Sequence, residues 1–336
     1  MDRVIAAAIL AMVIGILAGP KFIDFLRQRE LGQHIREEGP AGHVAKQGTP
    51  TMGGLLMLFA ALIPFLLVGR YTLPGLAVLF VTFACGGVGF LDDFIKLRHK
   101  RSLGLSGRWK LLLLVGISAV LGYAANREGL DSRIYIPAVG TIDIWWFWYV
   151  LIFLVVAGAA NGVNLTDGID GLAAGTGIIA LITFTAICIF TFIRLRQVHE
   201  PNLVYLDMAI LGGALVGGAI AFLWFNAFPA DVFMGDTGSM AIGGALGAFA
   251  VMTKTELLLL LVGGIFLIEA LSVILQVVSF KYWGRRIFLM APIHHHFEMK
   301  AWSETKIMVR FWILCAILCA TAFAVYFQTF FDFPGR

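Results

Sequence analysis

The chain has 336 residues, 60% of them hydrophobic and only 14% charged, with a formal net charge of +4. A soluble domain carries about a quarter of its residues as charges, so this composition excludes a water-covered globule, and a mean hydropathy of +0.88 agrees. The apolar residues come in blocks of roughly 17–25, the length that crosses about 30 Å of hydrocarbon as a helix. A lone strand would leave its backbone polar groups unpaired in lipid. The expected fold is an all-α, polytopic integral membrane protein with a single domain over residues 1–336.

Ten spans are predicted in chain order, at 4–22, 52–69, 73–95, 111–125, 145–160, 170–193, 204–225, 238–252, 256–280 and 307–328. The first is followed by Pro20 and Lys21 rather than a small-residue cleavage site, so it is read as a retained span and not a signal peptide. Trp145, Trp146, Trp148 and Tyr149 cluster where the fifth span enters the membrane, as an aromatic belt should. Cys85, Cys188, Cys315 and Cys319 all fall in apolar blocks, without a CxxC pair, and are read as small buried side chains rather than a disulfide or zinc framework. The repeated glycines within the spans are read as close helix contacts. No internal repeat or interdomain linker is found.

Counting Lys and Arg gives 16 on the loops after spans one, three, five, seven and nine, against 8 on the opposite side. The positive-inside rule then puts the odd loops in the cytoplasm and both termini outside.

The unusual polar residues follow the same division. In order they are Gly48–Gly54, with Thr51; Asp92-Asp93-Phe94-Ile95-Lys96; Asn161–Gly171, with Asn164, Asp167 and Asp170; Asn226 and Phe233–Ser239, with Asp236; and Pro292–Glu298, with His294, His295 and His296. All fall on odd loops. The charge count and the motifs rest on different residues, and both select one face, so one composite site is expected there.

Asp92, Asp93, Asp167, Asp170 and Asp236 sit at or near membrane depth, where an unpartnered charge is costly and a functional role is the default. Five converging acids repel one another, and a divalent cation relieves that. Hard carboxylate oxygens favour magnesium over zinc. Magnesium is usually held by one or two carboxylates together with substrate phosphates, which points to phosphoryl chemistry.

Plainer readings compete. Asp92 and Lys96 are four apart and could be a simple helical ion pair. Asp92 and Asp93 point about 100° apart, so both cannot serve Lys96. The 161–171 stretch could be a capped turn, yet two Asn and two Asp without a basic partner exceed what a turn requires. Three consecutive histidines cannot easily converge on one ion; one or two of them bonding a phosphate or sugar, or moving a proton, fits better. Phe233 could stack on a base or simply face lipid. Glu269 is an intramembrane acid without an evident partner, and Gln276, near the cytoplasmic end of the same span, could line the site. There is no Walker loop, no GxGxxG after a strand, no HExxH and no nucleic-acid module.

The runs Glu38-Gly39-Pro40, Gly48–Gly54, Asp92–Lys96, Asn164-Leu165-Thr166-Asp167-Gly168, Phe233–Ser239 and Ala291–Glu298 resemble the phospho-N-acetylmuramoyl-pentapeptide-transferase family, in order and over nearly the whole chain. The aspartate motifs alone fit the wider superfamily of polyprenyl-phosphate N-acetylhexosamine-1-phosphate transferases. The Pro-Ile-His-His-His-Phe-Glu run is the most specific to the muramoyl-pentapeptide branch.

The resemblance implies a bacterial inner-membrane enzyme with its site facing the cytoplasm. It would join UDP-N-acetylmuramoyl-pentapeptide to undecaprenyl phosphate with Mg2+, releasing UMP. It implies Asp236 as the metal ligand, and Asp92 and Asp93 positioning the lipid phosphate. Lys46 and Lys96 would offset phosphate charge. Asn161, Asn164, Asp167, Asp170, Asn226, Thr51, Phe233 and Gln276 would form the uridine and sugar side, and His294, His295 and His296 would contact substrate. Membrane lipid is a partner and nucleic acid is not. The oligomeric state is left open, a homodimer among the options. A UDP-N-acetylglucosamine transferase of the same superfamily is the near alternative, and a secondary transporter a remote one that predicts midplane acids and a repeat.

Overall fold

The computed structural model describes residues 1–29, 48–99, 104–136, 140–198 and 203–332. Lys46 and the Glu38–Pro40 run lie outside the described residues. The helices are α1 (Asp2–Gln28), α2 (Gly54–Val68), α3 (Leu73–Arg98), α4 (Gly107–Arg127), α5 (Phe147–Thr166), α6 (Leu172–Val198), α7 (Leu203–Asn226), α8 (Gly235–Met252), α9 (Leu259–Val262), α10 (Gly264–Trp283), α11 (Ile293–Glu298) and α12 (Glu304–Asp332). Eight of them, α1, α3, α4, α5, α6, α7, α10 and α12, are long and apolar enough to cross a bilayer. The all-α polytopic expectation holds.

The other two predicted spans are α2 and α8. With 15 residues, α2 is apolar and rises about 22 Å, shorter than a full hydrocarbon core. Every residue of α8 from Thr237 to Met252 is buried. A helix enclosed on all sides belongs at the centre of a bundle, and α8 lies there, packed chiefly between α3 and α5. A second hub, α7, packs on α1, α2 and α6.

Several edges differ from the hydropathy reading. α5 continues to Thr166, so Asn161 and Asn164 are helical rather than loop residues. The ninth span is broken at Gly263 into α9 and α10. Between α4 and α5 lies a small antiparallel hairpin, β1 (Arg133–Ile136) and β2 (Gly140–Asp143), with Arg133 opposite Asp143. Four-residue strands leave too little alternation to be seen by period. Trp145 and Trp146 are exposed as a belt requires, but Trp148 is 2% exposed. Its indole donates to Glu256 Oε1 at 3.0 Å, and Lys254 lies over the ring. The four cysteines are buried and unpaired.

At the end opposite the polar motifs, α3 is held by a buried acid from α7. Asp207, fully buried, accepts from the backbone N–H of Arg70 (2.6 Å) and Thr72 (2.8 Å) and from the Thr72 hydroxyl (2.9 Å). Thr72 is the N-cap of α3, so Asp207 anchors that cap. Asp207→Ala is expected to destabilise the protein by about 2 kcal/mol and to leave activity per folded molecule unchanged. An unaltered melting temperature in detergent would count against this anchoring role.

Candidate active site

Asp92 and Asp93 lie near the end of α3, alongside the start of α8. Gly89 allows the approach, since a Cβ there would stand 2.0 Å from the Asp236 carbonyl oxygen. The two carboxylates then diverge, as neighbours on a helix must. Asp93 turns into the N-terminus of α8. Its Oδ1 accepts from the Asp236 N–H (3.2 Å), and its Oδ2 from the Thr237 N–H (3.0 Å) and the Thr237 hydroxyl (2.8 Å). Helix-start N–H groups have no partner within the helix, and a carboxylate suits the positive end of its dipole. Gly235 has φ +73°, and a Cβ on it would lie 2.6 Å from Asp93 Oδ2. Glycine meets both demands.

Asp92 faces a pair of lysines. Lys96 Nζ is 2.6 Å from Asp92 Oδ2 and 3.1 Å from Asp236 Oδ1. Lys110 Nζ, from the first turn of α4, is 3.0 Å from Asp92 Oδ1 and 2.8 Å from Asp236 Oδ2. Leu105 N–H adds a 2.7 Å bond to Asp92 Oδ1. Two carboxylates and two ammonium groups thus alternate in a ring. Asp92 is 1% exposed and Asp93 4%, so pairing is obligatory for both. Ligand oxygens of Asp92, Asp93 and Asp236 all lie within 4.8 Å of one another. The three carboxylates exceed the two ammonium groups by one charge, and their hard oxygens fit magnesium.

The turn after α5 closes on this ring. Asp167 has its carboxyl pushed up to about 8, by burial first and then by the charges of Asp236, Asp93 and Asp170, against a lowering hydrogen bond from the Gly235 backbone. Asn164 donates to Ser239 Oγ at 3.0 Å, tying α5 to α8. On the other flank, Phe233 N–H donates to Pro50 O (2.8 Å) and Gly53 N–H to Phe233 O (2.9 Å). These bonds bring the Thr51 segment beside Gly235.

Residues 75–254 match glycosyl transferase family 4, and residues 46–58 match the phospho-N-acetylmuramoyl-pentapeptide-transferase signature 1. The phospho-N-acetylmuramoyl-pentapeptide-transferase of Rubrobacter xylanophilus is 45% identical, over 97% of this chain and 98% of its own. Those of Halalkalibacterium halodurans and Syntrophus aciditrophicus are each 46% identical, over 93% and 95% of this chain and 94% and 91% of theirs. The chain belongs to the phospho-N-acetylmuramoyl-pentapeptide-transferase family.

The histidine run forms α11. His294 is fully buried and its Nδ1 is 3.0 Å from Glu269 Oε1, which supplies the partner that the sequence did not reveal. The His295 ring lies 4.1 Å from that of His294, tilted by 57°, and its Nδ1 pairs with Glu298. His296 Nδ1 accepts from Leu289 N–H at 3.1 Å. Burial, and then the charge of Lys300, lower the proton affinity of His296.

Other predicted residues serve the frame around the ring. Gln276 Oε1 accepts from the N–H groups of Ile287 and Phe288, both at 3.0 Å, and its Nε2 donates to Phe288 O, so it holds the loop before α11. Asn226 accepts from Gly171 N–H (3.0 Å) and donates to Val232 O (2.9 Å). Asp170 accepts from Ala230 N–H at 3.1 Å. Together Asn226 and Asp170 join the α5–α6 turn to the 226–232 loop. Asn161 bonds back to Ala157 O within α5.

The residue missed from sequence is Lys110. It is one of six basic residues in its loop region, and only the packing of α4 on α3 singles it out. Its place at the first turn of a span, where a lysine needs a partner, was the available signal.

Proposed function

We propose that this chain transfers phospho-N-acetylmuramoyl-pentapeptide from its UDP-linked donor to undecaprenyl phosphate, at the cytoplasmic face of the bacterial plasma membrane. An oxygen of the lipid phosphate attacks the sugar-linked phosphorus. The bond from that phosphorus to the oxygen bridging to UMP breaks, and UMP leaves with that oxygen. The products are undecaprenyl-diphospho-N-acetylmuramoyl-pentapeptide and UMP.

The observation that carries this reading is the ring of Asp92, Lys96, Asp236 and Lys110 in a member of this family. Asp236, with Asp92 beside it, would hold Mg2+, which when bound supplies positive charge to the diphosphate. Lys96 and Lys110 exchange carboxylate partners for phosphate oxygens as substrates enter. Asp92 orients the lipid phosphate and accepts its remaining proton if it arrives protonated. Asp93 acts from behind, fixing the start of α8 and with it Asp236. Asn164, Asp167, Thr51 and Phe233 line the nucleotide side. The side chains thus act by positioning and charge neutralisation, which dominate phosphoryl transfer.

The test compares donors. Purified protein with undecaprenyl phosphate and magnesium should release UMP from UDP-N-acetylmuramoyl-pentapeptide and leave UDP-N-acetylglucosamine intact. Release from UDP-N-acetylglucosamine alone would move the chain to a sister activity.

A further inference from the structure

Glu269 lies in the interior of α10 and His294 on α11, and both side chains are 0% exposed. An ionised carboxylate in an apolar interior is strongly disfavoured unless paired, and the 3.0 Å contact between Glu269 Oε1 and His294 Nδ1 provides the pair. The bond commits one ring nitrogen. His294 Nε2 is buried and has no hydrogen-bond partner among the described residues. A buried orphan nitrogen is rare and calls for a reason.

Its surroundings give one. Nε2 faces Gly168, where a Cβ would stand only 2.2 Å away. Gly168 directly follows Asp167, in the turn that closes on the acid–lysine ring. His295 Nδ1 also meets a carboxylate, that of Glu298, but its ring is part-exposed, and His296 is turned to the Leu289 backbone. We infer that Glu269 is a positioning residue for the transfer: it accepts the Nδ1 proton of His294, fixing that tautomer, and thereby reserves Nε2 as an acceptor, at the Asp167–Gly168 turn, for a hydroxyl or amide N–H of the nucleotide sugar. The inference rests on the transfer reaction proposed above. The logic is that of any histidine whose second nitrogen is set by the bond its first nitrogen makes.

Two measurements test it. In protein labelled with 15N-histidine, the ring whose signals vanish in His294→Asn should show a protonated Nδ1 and a bare Nε2, and Glu269→Gln should abolish or mix that signature. In the UMP-release assay, Glu269→Gln should lower kcat/KM roughly 10²-fold with the melting temperature nearly unchanged. Glu269→Asp should recover part of the loss. His294→Asn should cost about as much as Glu269→Gln, and the double variant no more than either. A bare Nδ1 on His294 in the wild type, wild-type rates for Glu269→Gln, or losses that multiply in the double variant would each overturn the assignment. If the wild type releases no UMP from either donor, the transfer reading fails, and the 15N spectra still decide the tautomer.

Discussion

Asp236→Asn is expected to lower kcat roughly 10³-fold while the protein remains folded. The substitution keeps the shape of the side chain and removes its charge. Asp236 bridges both lysines, at 3.1 and 2.8 Å. Without it, two ammonium groups face Asp92 alone, and the excess negative charge that favours a divalent cation is gone. The residual activity should need more magnesium than the wild type. Assays across a magnesium titration measure both effects. Unchanged activity with unchanged metal dependence would remove Asp236 as the ligand.

Asp93→Ala should act by a different route. Three hydrogen bonds at the start of α8 lose their acceptor, leaving the Asp236 N–H, the Thr237 N–H and the Thr237 hydroxyl unpaired where Thr237 is fully buried. The expected cost is about 3 kcal/mol or more, seen as a clear fall in melting temperature together with loss of activity. Asp92→Asn, one residue away, should instead reduce kcat by about 10²-fold or more and leave melting nearly unaltered, because its lysine partners can still pair with Asp236 and the amide oxygen can still accept from the Leu105 N–H. Equal melting losses for the two would contradict the division of labour between these neighbours.

That division shows what the sequence conveys and what it withholds. The helices were legible because apolar blocks of spanning length have few other fates. The aspartates were legible because charges at membrane depth must be explained. Helical geometry even separated Asp92 from Asp93, since neighbours point about 100° apart, and Asp92 does take Lys96 as its partner. What Asp93 turns toward was not legible, because its partners are two backbone N–H groups and one hydroxyl at the start of a helix 143 residues later. The same holds for Asn226, Asp170 and Gln276. Their polarity marked them, but what they hold are backbone groups of loops, the Gly171 N–H for Asn226, the Ala230 N–H for Asp170 and the Ile287–Phe288 turn for Gln276, and a backbone group carries no sequence signal. Glu269 and His294 stood out singly and only the packing of α11 on α10 joined them. The break at Gly263 escaped notice because both flanking segments are equally apolar, so hydropathy continues across it.

The proposed transfer makes the acid–lysine ring a metal-assisted phosphoryl-transfer site fed by lipid and nucleotide together. UMP release by purified, lipid-supplemented protein, followed with each substrate omitted in turn, then with EDTA and with magnesium restored, tests it most directly. Release is expected only when undecaprenyl phosphate, UDP-N-acetylmuramoyl-pentapeptide and magnesium are all present, with full recovery when magnesium is restored. Release that persists in EDTA, or that proceeds without the lipid phosphate, would contradict it.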